Sequence, residues 1–244
     1  MTERPKPYYE RDGITIYCAD AMEMLNQWPG AQVNCIITDP PYCSGATETA
    51  RRGKRSAITP ESVTARPTIQ LDDMGMLGYE WLTRRWFLWV RQITAQGGHL
   101  ACFTDWRMTP WVQLMLEVAG WRLTNLLVWD KRYPGLGSGF RAQHEMIAIA
   151  SNGQPEWHSY AYGNVIQSTR LTKTEHPHQK PTDLIQKLIE TCCPPTGIIL
   201  DPFMGAGSTL VAAKDLGRRA IGIEIEERYC EIAVKRLSQE VLAL

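Results

Sequence analysis

The residues with the clearest chemical use form the stretch Asp39-Pro40-Pro41-Tyr42. The Asp39 carboxylate is a hydrogen-bond acceptor, and Pro40 keeps a backbone carbonyl that can accept although its nitrogen has no proton to donate. Tyr42 adds a flat aromatic face with a polar tip. Two acceptors beside a stacking ring suit a planar molecule that carries an NH2 group, such as a nucleobase. An ordinary proline-rich turn that closes a strand could contain the same residues, so this stretch alone leaves both interpretations open.

A second candidate site begins at Asp201, which ends the apolar run Ile198-Ile199-Leu200. A glycine-rich segment (202–209), a helix pattern and a strand pattern ending at Glu224 follow it. Glycines there let the backbone approach a ligand closely, and an acid after the next strand can bind ribose hydroxyls. No Gly-Lys-Ser/Thr triplet supports phosphate binding, and acids repel a pyrophosphate but attract a cation. S-adenosylmethionine, with its sulfonium, ammonium and ribose, fits this set; a glycine-rich turn without a ligand is the alternative.

Three further features have both a functional and a purely structural interpretation. Asp20, between a strand pattern and a helix pattern, could cap the helix or touch a ligand at the same sheet edge. His176 and His178 are two residues apart, but no further ligand cluster accompanies them, so we expect no metal site. Periodicity is lost from residue 43 to about residue 78, and residues 43–70 have an excess of three positive charges, which fits a solvated loop or a loop that closes on a phosphate backbone. Its basic residues are Arg51, Arg52, Lys54, Arg55 and Arg66.

The order of helix and strand patterns predicts an α/β fold. Residues 122–129 and 146–150 should pair antiparallel because only a glycine-rich turn separates them. The tryptophans of the helix pattern 79–96 are expected mostly in the core. Asp39 and Asp201 both follow apolar strands, and open α/β sheets bind ligands at the carboxyl ends of their strands. The strand patterns cover 14–17, 33–38, 99–103, 122–129, 146–150, 197–201 and 220–223, and the helix patterns cover 21–27, 79–96, 106–118, 182–193, 209–216 and 227–237.

Composition limits the class of protein. The 244 residues are enough for one large domain with a substantial core. Because 26 basic and 26 acidic side chains balance, any nucleic-acid footprint must be local. The seven cysteines have no paired spacing, which favours reduced thiols in a cytoplasmic protein over disulfides. No stretch approaches 18 apolar residues, so neither secretion nor membrane spanning is expected.

These motifs together resemble the DNA amino-methyltransferases, in the β arrangement where the catalytic turn precedes the cofactor motif. The resemblance implies a doubly wound, mostly parallel sheet of seven strands with one antiparallel strand, a Rossmann-like methyltransferase fold. It is circularly permuted, so the strands in chain order are the family's third to seventh, then its first and second. One catalytic domain (1–244) is expected, with a mobile basic loop at about 43–75 and a short recognition region at about 132–175. The matching segments are 39–42, 128–131, 141–145, 176–181, 201–209 and 221–229.

The resemblance also implies roles for individual residues. The catalytic residues would be Asp39, Pro40, Pro41 and Tyr42. Asp20 gains a role in cofactor binding, Glu224 would hold the ribose, and the segment before the helix at 182 would close over the methionine end of S-adenosylmethionine. The closing residues would be His176, Gln179, Lys180 and Pro181, and the residues that shape the pocket would be Asp201, Phe203, Gly205, Gly207 and Ser208.

The expected reaction is methylation of the N6 amino group of adenine in duplex DNA, with the base flipped out of the helix and stacked on Tyr42. Aspartate at position 39 favours adenine over cytosine in this family, and N4-cytosine methylation is the alternative. A methyltransferase acting on RNA, protein or a small molecule, and a catalytically silent binding module, are two further alternatives. Because the recognition region is short, a partner subunit or a homodimer could supply missing DNA contacts.

Overall fold

The computed structural model describes residues 5–28, 30–41, 76–135, 138–170 and 179–239. Within these ranges, nine strands form one sheet with helices on both faces. The strands are β1 (Tyr9–Arg11), β2 (Ile14–Cys18), β3 (Val33–Thr38), β4 (Thr94–Thr104), β5 (Arg122–Asp130), β6 (His144–Ser151), β7 (Val165–Gln167), β8 (Ile198–Asp201) and β9 (Arg219–Glu224). The helices are α1 (Ala21–Asn26), α2 (Met76–Ile93), α3 (Thr109–Val118), α4 (Thr182–Cys192), α5 (Ser208–Asp215) and α6 (Glu227–Ser238).

The strand order is β1-β2-β9-β8-β3-β4-β6-β5-β7. All seven predicted strands are present, and the only antiparallel strand among them is β6, which pairs with β4 and β5. The last two strands of the chain lie between β2 and β3, which confirms the permuted, doubly wound arrangement. The three-residue edge strands β1 and β7 were not predicted. Strands this short carry too few residues for a period-two pattern to be recognised.

The central strands are buried on both faces because helices cover both sides of the sheet. Along β4, Leu100 and Cys102 pack against the layer that contains α1, α2 and α3. The alternate residues Ala101 and Phe103 pack against the layer that contains α4, α5 and α6. This two-sided burial explains why the strand is a continuous apolar run in the sequence.

The tryptophans of helix α2 lie mostly in the core, as expected. Trp86 is buried and Trp89 packs against the core, whereas Trp81 is the exception and is 61% exposed. The Arg85 guanidinium carbon lies 5.1 Å from the centre of the Trp81 ring and 5.0 Å from that of Trp89. Such cation–π contacts let a large ring remain at the surface. Neither α2, with 18 residues, nor any other helix in the described part of the chain is long and apolar enough to cross a membrane.

The sheet has its topological switch point between β3 and β8. These two strands are parallel neighbours, with Cys35 opposite Ile199 and Ile36 opposite Leu200. From β8 the chain continues through α5 to β9 on one side, whereas β4, which follows α2, pairs on the other side of β3. In open α/β sheets a crevice forms where the connections diverge in this way, and ligands bind there.

Candidate active site

The two sequence motifs meet at this switch point. Asp39 follows β3 and Asp201 is the last residue of β8. The buried hydroxyl of Thr38 donates a hydrogen bond of 2.8 Å to Oδ1 of Asp201. The turn after β3 and the glycine loop after β8 are therefore joined by a direct side-chain contact, as the sequence argument from strand ends required.

Asp201 holds the glycine loop in place. Its Oδ1 also accepts a hydrogen bond from the Phe203 backbone nitrogen at 3.2 Å. Burial raises the pKa of Asp201 to about 7, although hydrogen bonds from Thr209, Thr38 and the Phe203 backbone act in the opposite direction, and the charge of Asp39 adds to the rise. Asp201 is only 3% exposed, so it shapes the loop through hydrogen bonds inside the protein.

The glycine loop depends on backbone conformations and spacings that a side chain would disturb. Gly205 and Gly207 have positive φ angles of 48° and 73°. A Cβ on Gly207 would lie 2.8 Å from the Cβ of Ala233 in α6, closer than such atoms approach in proteins. Arg236 of α6 also donates to the Ala206 carbonyl and lies 3.4 Å from the Ser208 hydroxyl. Helix α6 thus packs directly against the loop and fixes its position.

Glu224, at the end of β9, faces the same loop. Its Oε2 accepts from the Gly205 backbone nitrogen at 3.0 Å and its Oε1 from the Glu226 backbone nitrogen at 2.8 Å. Burial raises the pKa of the Glu224 carboxyl, and these backbone donors offset part of that rise. The carboxylate therefore sits beside the loop backbone, where the sequence predicted a ribose-binding acid.

Asp20 lies at the neighbouring strand end, because Cys18 of β2 pairs with Glu224 of β9. Its Oδ1 accepts hydrogen bonds from the backbone nitrogens of Met22 at 2.6 Å and Glu23 at 3.3 Å. The capping interpretation of Asp20 is thereby confirmed. Its role in cofactor binding stays a prediction.

The acids at this edge fit a cationic ligand with hydroxyl groups. Among the described residues, no lysine, arginine or histidine forms an ion pair with Asp20, Asp201 or Glu224. Asp201 is buried and acts inside the protein, so the charges left for a bound molecule are those of Asp20 and Glu224, and the glycine loop beside them gives that molecule access to the backbone. S-adenosylmethionine has a ribose and two positive charges, so the donor set fits it.

Asp39 has a different partner. Lys180, which precedes α4, donates from Nζ to Oδ2 of Asp39, and the same Nζ lies 3.3 Å from Oε2 of Glu145. Lys131 Nζ donates to Oε1 of Glu145 at 3.0 Å. Burial by itself lowers the pKa of Lys180, but the charges of Asp39 and Glu145 outweigh it and the net pKa is raised. Lys180 is therefore a buried, permanent cation.

Glu145 stays ionised for the reciprocal reason. Burial raises the pKa of this carboxyl, but the charges of Lys180 and Lys131 outweigh burial and the net pKa is lowered. Lys131 and Glu145 lie in two of the segments that resemble the family, 128–131 and 141–145, but neither residue was predicted to have a role. The sequence did contain a signal for this ion-pair cluster, because Lys131, Lys180 and Glu145 all lie in segments that match the family.

The other predicted residues divide into two groups. Pro40, Pro41, Gln179 and Pro181 are described, and Pro181 is the residue before the first turn of α4. Phe203 packs edge-to-face on Trp86, with ring centres 5.4 Å apart. Several predicted site residues lie outside the described ranges: Tyr42, His176, Arg51, Arg52, Lys54, Arg55 and Arg66. The described residues contain no group of three or more His, Cys, Asp or Glu side chains that could hold a metal.

The start of the predicted recognition region is anchored by Asp130. Its Oδ1 accepts from the Arg132 backbone nitrogen at 2.8 Å and from Nε2 of Gln143 at 2.8 Å. These two hydrogen bonds, the largest causes, hold the pKa of the Asp130 carboxyl below its ordinary value. Between β5 and β6, the side chains of Tyr133 and Phe140 are exposed.

Comparison with known proteins agrees with this geometry. The model of a DNA methylase family matches residues 33–235. The chain is 30% identical over 219 residues to the candidate methylase YubD of Escherichia coli (strain K12), covering 90% of this chain and 88% of YubD. It is 25% identical over 256 residues to the type II methyltransferase M2.LlaDCHI of Lactococcus lactis subsp. cremoris, covering 96% of this chain and 93% of that protein.

Solved structures give the same result for the fold. The crystal structure of the M1.HpyAVI–SAM complex superposes with a TM-score of 0.67 at 25% identity, over 92% of this chain and all of that chain. The PvuII DNA methyltransferase, described as cytosine-N4-specific, has a TM-score of 0.76 at 16% identity over 98% of this chain and 91% of that one. The strand order and the two joined motifs are those of an amino-methyltransferase. The chain belongs to the DNA methylase family, whose members methylate N6 of adenine or N4 of cytosine.

Proposed function

We propose that this protein transfers a methyl group from S-adenosylmethionine to the N6 amino group of adenine in duplex DNA. The observation that carries the proposal is the position of Asp39, an ionisable acceptor at the switch point, joined through Thr38 to the glycine loop. The type II methyltransferase names of relatives and the M1.HpyAVI–SAM complex support the DNA substrate and the methyl donor.

The chemistry follows from the properties of an exocyclic amine. Its lone pair is delocalised into the ring, so the nitrogen is a weak nucleophile. Asp39 and the Pro40 carbonyl accept the two amino hydrogens, which draws the nitrogen towards tetrahedral geometry and localises the lone pair. S-adenosylmethionine, when bound, supplies a methyl group on a positively charged sulfur that departs as a neutral thioether. Catalysis then rests mainly on positioning and on the charge of Asp39.

The acceptor base must leave the duplex to reach Asp39. Flipping costs roughly a few kcal/mol, and stacking on Tyr42 offsets part of this cost. We assign the phosphate contacts to the basic residues of 43–75, namely Arg51, Arg52, Lys54, Arg55 and Arg66, because they supply a local positive charge on a chain with zero net charge. We also assign DNA contacts to the exposed rings of Tyr133 and Phe140, which belong to the predicted recognition region 132–175.

The deciding experiment is transfer of labelled methyl groups from S-adenosylmethionine to unmethylated duplex DNA, followed by nucleoside analysis. Labelled N6-methyladenine is the expected product. N4-methylcytosine would overturn the choice of adenine and keep the mechanism, because cytosine also carries an exocyclic amine. Absence of label in DNA, with S-adenosylmethionine binding intact, would overturn DNA as the substrate; RNA and protein would then be assayed.

Self-association is a separate proposal. The short recognition region leaves room for a second copy of the chain to add DNA contacts. Sedimentation of the protein with and without duplex DNA measures its oligomeric state. A monomer in both cases would overturn the proposal of a homodimer.

A further inference from the structure

The charge cluster around Asp39 contains two cations and two anions that come from four separate segments. Lys180 Nζ touches Asp39 Oδ2 on one side and lies 3.3 Å from Glu145 Oε2 on the other. Lys131 contacts the second oxygen of Glu145 at 3.0 Å. The side chains are mostly buried, with exposed fractions of 8% for Lys180, 22% for Glu145 and 15% for Lys131. The ring of Phe103 covers the ammonium at 5.1 Å.

We propose that Lys180 and Glu145 are a positioning pair for Asp39. In the absence of a base, Lys180 holds the Asp39 carboxylate ionised and oriented. When the amino group of the substrate donates to Asp39, Lys180 shifts its ammonium towards Glu145. This inference rests on the proposed function, because it assigns Asp39 to an exocyclic amine.

Glu145 is necessary in this scheme because the ammonium is buried. A buried cation needs compensating negative charge, and neutralising Glu145 removes one of the two carboxylates of the cluster with which Lys180 forms ion pairs, so the ammonium is held more tightly by Asp39. Lys180 and the substrate would then compete for the same carboxylate. Glu145 removes this competition, and Lys131 balances the charge of Glu145, so the four groups together are neutral.

The pair also directs the proton that the reaction releases. The methylated nitrogen is positively charged until it loses one hydrogen, which passes to Asp39. The neighbouring Lys180 cation disfavours protonated Asp39, so the proton continues to water and the carboxylate is restored. Lys180 remains an ammonium throughout and accepts no proton.

The test compares single-turnover methyl transfer by the wild type, Glu145→Gln and Lys180→Met over a range of pH. We expect Glu145→Gln to lose at least about tenfold in rate and Glu145→Asp to recover most of it. For Lys180→Met, the acidic limb of the pH–rate profile should move to higher pH because Asp39 loses its cation. The matched control is Lys187→Met, which removes a lysine of α4 whose ion pair with Asp183, at 3.8 Å, lies outside the cluster.

A merely structural role predicts a different result. It would lower the melting temperature of Glu145→Gln but leave the rate per folded molecule and the pH profile unchanged, and that result would overturn the proposal. If Glu145→Gln does not fold, Lys131→Met at the edge of the cluster replaces it, with an expected loss of about threefold. A wild-type rate for that variant would also overturn the pair.

A second readout does not depend on catalysis. The ammonium proton–nitrogen signal of Lys180, assigned by its absence in Lys180→Met, should exchange slowly with water in the wild type and faster in Glu145→Gln. Fast exchange in the wild type would overturn the pair whatever the enzyme methylates. A wild type that methylates no DNA but shows slow exchange would overturn the proposed function and retain the pair.

Discussion

Thr38 and Asp201 are 163 residues apart in the chain and share a buried hydrogen bond of 2.8 Å. This contact joins the last residue of β3, next to the acceptor Asp39, to the last residue of β8, which begins the glycine loop. The two halves of the site cannot shift along their strands independently without breaking it. Together with the direct pairing of β3 and β8, the Thr38 hydroxyl keeps the turn after β3 in register with the glycine loop.

The first prediction concerns Asp201 and pH. Burial raises the pKa of Asp201 from 3.8 to about 7, so the folded chain holds this proton more tightly than the unfolded chain. The protonated carboxyl contributes stability that is complete below about pH 4 and is lost as the pH rises through about 7. In Asp201→Asn this loss should disappear. Urea unfolding from pH 4 to 8 measures the unfolding free energy as a function of pH, and Asp215→Asn, at an exposed position, is the control. If the unfolding free energy changed with pH equally in the wild type and in Asp201→Asn, the prediction would be contradicted.

The second prediction concerns Asp39. Asp39→Asn should lower the rate of methyl transfer by at least about 100-fold, because the amide carries no charge to hold the amine hydrogens and its NH2 group opposes Lys180. Asp39→Ala should abolish transfer. Calorimetric affinity for S-adenosylmethionine should change by less than about threefold in both folded variants. An equal loss of affinity and rate would place Asp39 in cofactor binding instead.

The third prediction separates the cost of backbone strain from the cost of a steric clash. It compares Gly207 in the glycine loop with Gly217, which follows α5. Gly217 and Gly207 both have positive φ angles, 63° and 73°, but a Cβ on Gly217 would meet no atom within 4 Å. Gly217→Ala should cost about 1–2 kcal/mol of unfolding free energy from backbone strain alone. Gly207→Ala should cost more because of Ala233 and should also weaken S-adenosylmethionine binding. Equal effects in denaturant titrations would show that the contact with α6 relaxes freely.

The fourth prediction concerns Glu224. Glu224→Gln should weaken S-adenosylmethionine binding by about tenfold, since a neutral amide is a poorer acceptor for ribose hydroxyls than a carboxylate. Glu227→Gln, three residues later on the exposed side of α6, is the matched control and should bind as the wild type does. Calorimetry measures the affinity of both variants for S-adenosylmethionine. An unchanged affinity in Glu224→Gln would contradict the proposed role of Glu224 in ribose binding.

The sequence predicted strand ends well and long-range side-chain partners poorly. Asp39, Asp201 and Glu224 each follow an apolar run, and the physics of parallel sheets brings such ends to one edge. The contact between Lys180 and Asp39 joins residues 141 apart, and no local pattern encodes it. The resemblance predicts a cofactor role for Lys180, which stays a prediction, and it gave no indication of the contacts with Asp39 and Glu145. Trp81 shows a related limit, since helical spacing does not reveal that Arg85 stabilises a ring at the surface.

The strand order has a consequence for how the protein is made. Strands β8 and β9 leave the ribosome last, yet they occupy the sheet between β2 and β3. Until about residue 224 has been synthesised, β2 and β3 each expose an edge with no neighbour on that side. Such a nascent chain cannot close its sheet from one end to the other, so closure depends on late, long-range strand pairing, which is an intrinsically slow step. A ribosome that stops before residue 198 therefore releases a chain that lacks two strands from the interior of its sheet.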